Sequence, residues 1–251
     1  MRLWLDTDVG TNPDDAIALR CALAHPDIEL VAVSTTDDPD GARAVVARRL
    51  VGEVPVTIGA QLDPEGFADC DPDTVLAIGP LTNVAGLVNA GHVPRRLAVM
   101  GGALAPVRHR GALRTVEHNF GTDPGAAAVV LERVPDVLVC PLDVTVRTCL
   151  GDGDRRRLAG ADPALGPILH GWSEEVCLHD PLAFLALVGE RVVGVERRRI
   201  AVSLDGVVRV EEGVEHDVVV DVDAQGATAR VVALLEQGDR YTGTPAEDER
   251  P

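Results

Sequence analysis

Residues 4–15 read WLDTDVGTNPDD, Trp4 to Asp15: an apolar start that runs into four carboxylates. Asp6 and Asp8 stand two apart, so in an extended segment they project to one side. Gly10 permits a sharp turn. Asn12–Pro13 has the form of a helix start, with Asn12 as N-cap and Pro13 at the first helical position. Asp14 and Asp15 then fall in the first helical turn, where the helix dipole favours negative charge. A cap explains one of these residues. It does not explain four carboxylates gathered after one strand. Without a cation they would repel and raise each other's pKa values. A hard divalent ion, Ca²⁺ or Mg²⁺, prefers oxygen ligands and relieves the conflict.

Strand, polar turn and helix in this order form the first unit of an alternating pattern. After the helix Ala16–Ala24, the spacing predicts a strand over Glu29–Ser34, a helix over Ala42–Val51 and strands at Val54–Ile58 and Val75–Ile78. A helix from about Thr82 to Val88 follows, then a strand Leu97–Met100 and a helix Asp123–Leu131. Beyond a strand at Val137–Cys140, helical character is predicted over Asp162–Val176 and Leu182–Leu187. Val218–Val222 is the last strand and Ala227–Glu236 the last helix. Such alternation argues for an α/β fold, an open, mostly parallel sheet with helices on both faces. No repeat or linker divides the chain, so residues 1–237 are read as one domain. The polar residues 238–251 are expected to be a disordered tail. In such sheets ligands bind beyond the carboxyl ends of the strands.

Bulk properties agree. The chain has 251 residues, 46% of them hydrophobic and only 2% aromatic, so its core must be built from Val, Leu, Ala and Ile. A net charge of −17 repels phosphate backbones and argues against nucleic-acid partners. Every basic residue is Arg, which removes Schiff-base and P-loop lysine mechanisms. The five cysteines form no CxxC pair, so no disulfide framework or zinc knuckle is expected. No apolar run has the length of a signal peptide or a membrane span, and a cytoplasmic enzyme is the expectation.

Two distant segments look complementary to the first. His179–Asp180–Pro181 starts a helix, and taken alone Asp180 reads as its N-cap. Gly79–Asn83 (GPLTN) is a strand-to-helix turn. Between them, Glu117–Asp123 (EHNFGTD) offers Glu117 and Asn119 two apart, a spacing able to grip a polyol.

Taken together and in order, these pieces resemble the inosine–uridine nucleoside hydrolase family across nearly the whole chain. The family's DxDxGxDD motif matches Asp6, Asp8, Gly10, Asp14 and Asp15. GPLTN, a Met-Gly-Gly turn (Met100–Gly102), an ExN…DPxAA segment (Glu117, Asn119, Asp123–Pro124, Ala126–Ala127) and HDPLA (His179–Ala183) follow. The resemblance implies hydrolysis of a ribonucleoside N-glycosidic bond by a homodimer or homotetramer. It implies a Ca²⁺ held by Asp8, Asp15, Asp180 and the backbone carbonyl of Thr82, with the ribose 2′- and 3′-hydroxyls and a water on the metal. Asp8 is then the base toward that water, Asp14 holds the 2′-hydroxyl, Asn119 other ribose hydroxyls and Glu117 the 5′-hydroxyl. His179 is the candidate acid for the leaving base.

The sequence departs from the family in four places. Two extra residues precede Asp14–Asp15. The stretch TTDDPD stands where an Asn is usual, with Asp37 or Asp38 as substitute; Asp38 is taken as a ribose contact. Gly111 replaces another Asn. Gln61–Asp73 is a short link where relatives carry a longer segment with a flap. Arg108, His109, Arg110 and Trp172 are candidate new contacts, Trp172 by stacking on a base. Two other readings compete. A haloacid dehalogenase-type phosphatase also opens with DxD, but Gly10 sits where it wants Thr or Val, and its Lys is missing. A non-catalytic sugar- or nucleoside-binding derivative is favoured by the missing flap and opposed by Asp8 and His179.

Overall fold

The computed structural model describes residues 1–59 and 62–237; the expected disordered tail lies outside them. The first half carries β1 (Arg2–Thr7), α1 (Pro13–Ala24), β2 (Glu29–Thr35), α2 (Ala42–Val51), β3 (Val56–Ile58) and α3 (Pro64–Cys70). Then come β4 (Thr74–Ala77), α4 (Thr82–Asn89), β5 (Leu97–Met100) and the hairpin β6 (Val107–His109) and β7 (Ala112–Arg114). Helices α5 (His118–Thr122) and α6 (Pro124–Arg133) lead to β8 (Val137–Cys140) and α7 (Leu142–Thr145). The remainder is α8 (Asp152–Ala161), α9 (Gly166–Gly171), α10 (His179–Leu187), β9 (Val193–Val202), β10 (Val208–Val210), β11 (Val214–Val222) and α11 (Ala224–Gln237).

Nine strands form one open sheet in the order β10-β9-β11-β8-β5-β4-β1-β2-β3. From β11 to β3 every neighbouring pair is parallel. The antiparallel edge of β9 and β10 was not expected from the sequence. Four consecutive charges in β9, Glu196 to Arg199, mask its strand character in the sequence. The chain runs outward from β1 through β2 to β3, then returns to β4 on β1's other side. The crevice between the ends of β1 and β4 is thus a topological switch point, where ligands bind in such sheets.

Each face of the sheet is buried under its own apolar layer. One holds Leu3, Leu5, Ile17, Leu19, Leu76 and Phe184 and is covered by α1, α2, α10 and α11. The other holds Trp4, Val75, Leu81, Leu97, Phe120 and Leu131 and is covered by α4 and α6. Helix α10 is buried along its whole length from His179 to Leu187. It packs directly on α1. That packing carries the first turn of α10 to the first turn of α1, although the two are far apart in sequence.

The region 152–178 departs from the expectation. Instead of a helix over Asp162–Val176, α8 and α9 are separated by a turn around Pro163, and an irregular segment follows Trp172. That segment pairs with 148–150 through an isolated antiparallel bridge between Cys149 and Cys177. Leu150 N donates to the Val176 carbonyl (2.8 Å) and Leu178 N to the Thr148 carbonyl (2.7 Å). The two α-carbons come within 3.7 Å, and the sulfurs are joined in a disulfide. The expectation of no disulfide is therefore corrected. Nothing in a separation of 28 residues announces a pair that the tertiary bridge creates.

Candidate active site

Helix α1 begins as its sequence asks, with Asn12 at the N-cap position and Pro13 in the first turn. Yet the Asn12 side chain makes no capping hydrogen bond; its Oδ1 accepts from Arg110 Nη2 at 2.9 Å. Helix α10 starts two residues earlier than a capping Asp180 would require. Leu178 is at the cap position, so Asp180 lies inside the first turn and caps nothing. With the capping roles removed, Asp14, Asp15 and Asp180 are three buried carboxylates from two helix starts, each offering an oxygen within 4.8 Å of the others.

Asp8 lies on the same pocket wall but outside that tight group. Its Oδ2 is 3.9 Å from Arg43 Nη1 and 3.9 Å from His118 Nε2. The loop that carries Asp8 turns at Gly10, whose φ of +121° favours glycine. Gly79 faces it so closely that a Cβ would meet Thr36 Cγ2 at 2.5 Å and Asp8 N at 3.0 Å. Arg43 was not singled out in the sequence. Its guanidinium donates to the Asp8 carbonyl, to Thr11 Oγ1 (3.2 Å) and to the Asp37 carbonyl (2.9 Å), tying the 8–11 loop to α2. Thr7 was also missed; its hydroxyl donates to Asp15 Oδ1 at 2.5 Å.

The electrostatics follow from the packing. Burial, then repulsion from Asp8, pushes the Asp14 carboxyl up to about 7. Asp15 is raised well above the ordinary range by burial, then by Asp8 and Asp14. Asp180 is raised by burial, then by Asp14, Asp15 and Asp8. Burial also raises Asp8, against the opposing pull of Arg43 and His118. An all-oxygen set of mutually repelling carboxylates fits a hard divalent cation. Ile78, just beyond the end of β4, lines this pocket; Thr82 does not. Thr82 sits four residues further on, in the first turn of α4, where its hydroxyl donates to Asp123 Oδ2 (2.7 Å) beside a separate cavity.

The pocket has a volume of about 320 Å³. Among the expected residues it is lined by Asp8, Asp14, Asp15, Glu117, Asn119, His179 and Asp180, with His109 and Arg110 from the hairpin β6–β7. Asn119 Nδ2 donates to the carbonyls of Ile78 (3.1 Å) and Met100 (3.0 Å), which fixes the amide across the ends of β4 and β5. Glu117 accepts from the backbone N–H groups of Gly102, Asn119 and Phe120. His179 Nδ1 is hydrogen-bonded to Thr145 Oγ1 at 2.7 Å, and its ring meets that of His109 edge-on at 5.1 Å. Burial, then His109 and Arg110, lowers His179 to about 3, so its imidazole is neutral at neutral pH. His118 and Arg114 also line the pocket and were not singled out in the sequence.

Three expected contacts, Asp38, Trp172 and Arg108, lie elsewhere, and so does Asp6. Asp38 accepts from Thr35 Oγ1 (2.8 Å) and from the N–H groups of Arg43 (3.0 Å) and Ala44 (2.9 Å), so it anchors the start of α2. It borders the second cavity, beyond the end of β2. Asp6 is buried behind the site, accepting from Ser34 Oγ (2.5 Å) and Asn83 Nδ2 (2.7 Å). Trp172 packs against the core, its ring 6.0 Å from the Arg110 guanidinium, and does not line the pocket. Arg108 does not line it either.

Residues 67–237, more than half of the chain, match the family described as inosine-uridine preferring nucleoside hydrolase. The chain belongs to this family. As a nucleoside hydrolase it acts on N-glycosyl bonds, and the phosphatase reading falls. It is 32% identical to a non-specific ribonucleoside hydrolase RihC of Salmonella typhi, with 94% of each chain covered. Its fold matches the inosine-uridine preferring nucleoside hydrolase of Bacillus anthracis with a TM-score of 0.76 at 18% identity, covering 94% of this chain and 99% of that one. It also matches a purine-preferring ribonucleoside hydrolase from Gardnerella vaginalis, with a TM-score of 0.72 at 21% identity, covering 94% and 99%. Among the described residues no helix is long and apolar enough to cross a membrane.

Proposed function

We propose that this nucleoside hydrolase is Ca²⁺-dependent and splits a ribonucleoside into ribose and free base, with Asp8 as the base toward water. The observation that carries the reading is the junction of Asp14 and Asp15 with Asp180 at the switch point, beside Asp8 and Asn119. Asp8, Asp15 and Asp180 are the proposed ion ligands, with the Ile78 carbonyl in the part first expected of Thr82. The ion would supply electrostatic activation of water and a grip on the sugar diol.

The chain's own residues supply the rest. Asp14 is placed to accept from a ribose 2′-hydroxyl. Asn119, its amide N–H₂ committed to two carbonyls, presents Oδ1 to a sugar hydroxyl. Glu117 accepts three backbone N–H groups and keeps about one acceptor site for the 5′-hydroxyl. As the glycosidic bond lengthens, positive charge grows on the sugar, and this anionic wall lowers the energy of that oxocarbenium-like state. His179 faces the departing base. Held neutral, it fits a hydrogen-bonding part better than that of a standing imidazolium acid. Arg43 opposes the burial that raises Asp8 and holds its loop.

The proposed setting is a cytoplasmic homodimer or homotetramer. The relatives named above differ in base preference, so the test uses a panel of purine and pyrimidine ribonucleosides. Ribose release, read as reducing sugar, is expected to vanish in EDTA, return with Ca²⁺ and be lost in Asp8→Ala. Binding without release in every condition would favour the non-catalytic alternative.

A further inference from the structure

Three side chains with nitrogen and sulfur donors meet beside the acid pocket, which His109 and His179 line. His109, Cys177 and His179 each offer a ligand atom within 4.8 Å of the other two. Cys149 is bonded to Cys177. We infer that Cys149, Cys177, His109 and His179 form a second metal site, for a zinc-class ion, which exists only when the disulfide is open.

The donor set is chemically distinct from the carboxylate cluster. Two thiolates and two imidazoles suit a borderline-soft, tetrahedral ion, whereas oxygen-only sets suit Ca²⁺. Zinc–ligand bonds of about 2.0–2.3 Å place tetrahedral ligand atoms roughly 3.3–3.8 Å apart. From separations within 4.8 Å, rotamer adjustment alone can reach that arrangement. Two features pre-organise it. The backbone hydrogen bonds Leu150 N to Val176 O and Leu178 N to Thr148 O do not depend on the S–S bond, so they keep the freed thiols side by side. Thr145 Oγ1 occupies His179 Nδ1 and orients the ring, leaving Nε2 for a ligand, as partners of metal-bound histidines commonly do.

The chemistry balances. A small dithiol gives two electrons and two protons to the Cys149–Cys177 disulfide, becoming a cyclic disulfide itself. Uptake of the ion then releases the two thiol protons as the thiolates coordinate. The ion pins His109, on the hairpin β6–β7, to His179, across the space a departing base needs. Zinc should therefore inhibit the reduced chain and spare the oxidised one. This last consequence rests on the proposed function; the binding does not. A cytoplasm keeps such thiols reduced, so compartment would select the state.

The test uses the full chain, stripped of metal and kept in excess Ca²⁺ so that the carboxylates are filled. Half is reduced with a dithiol and desalted under argon. Zinc uptake is read by competition with a chromophoric chelator, and Co²⁺ is added in parallel. The reduced wild type should take one equivalent of zinc and show thiolate-to-Co²⁺ charge-transfer absorption, and the oxidised wild type neither. Cys149→Ser and Cys177→Ser should lose the absorption. The oxidised and reduced wild types share one sequence, so the comparison survives a misfolded variant. Equal uptake in both states, no uptake in the reduced state, or an unchanged cobalt spectrum in Cys177→Ser would each overturn the site. If no form hydrolyses nucleosides, the proposed function fails while the zinc titration still decides this inference.

Discussion

The most direct probe of the acidic cluster is the substitution Asp14→Asn. Asp14 is fully buried and its carboxyl is pushed up to about 7, from an ordinary value of 3.8. Such a group holds its proton more tightly in the folded chain than in the unfolded one. Stability therefore falls as pH rises from about 4 to about 7 and levels off above that. A displacement of about three units at 1.36 kcal/mol per unit gives a loss of ~4 kcal/mol at most. Asn has the shape of the neutral acid and does not titrate. In EDTA, Asp14→Asn should match the wild type near pH 4 and exceed it at pH 8 by a few kcal/mol. Adding Ca²⁺ should stabilise the wild type strongly, by mass action on the folded state. It should do less for the variant, whose repulsion is already relieved. Urea unfolding at both pH values, with EDTA or Ca²⁺, measures all four quantities. If Asp14→Asn is no more stable than the wild type in EDTA at pH 8, the cluster is not the charged, strained site described above.

Three further outcomes test the framework around it. Arg43→Met removes the cation that opposes burial at Asp8, so the Asp8 pKa rises. The acid limb of the kcat/KM profile should then move to higher pH, and an unmoved limb would exclude Asp8 as the base. Asn119→Ala strips the donor from the buried Ile78 and Met100 carbonyls. It should cost about 1–3 kcal/mol per unsatisfied group in a melting experiment and raise KM for ribosides. Gly79→Ala drives a Cβ toward Thr36 and the Asp8 backbone. It should cost about 1–3 kcal/mol and weaken Ca²⁺ binding measured calorimetrically, because the Asp8 loop must shift.

Sequence alone determined the parallel core of the sheet and most of the acid pocket. Those features are local: apolar runs of strand length, Pro13 and the aspartates of the first turn of α1, Glu117 at the cap of α5 and Asn119 in its first turn. It also singled out Asp180, yet taken alone that residue read as a cap; only the burial of α10 against α1 makes it part of the cluster. Tertiary structure decided the rest. Ile78 lines the pocket and Thr82 does not, because the end of β4, not the first turn of α4, reaches it. Asp38 is spent on the start of α2, Trp172 on packing, and Arg43 reaches a loop 35 residues away. The Cys149–Cys177 pair exists only because a single bridge closes between two irregular segments. Local spacing dictates which way a side chain leaves its own strand or helix; which distant group it meets is set by how the helices pack on the sheet.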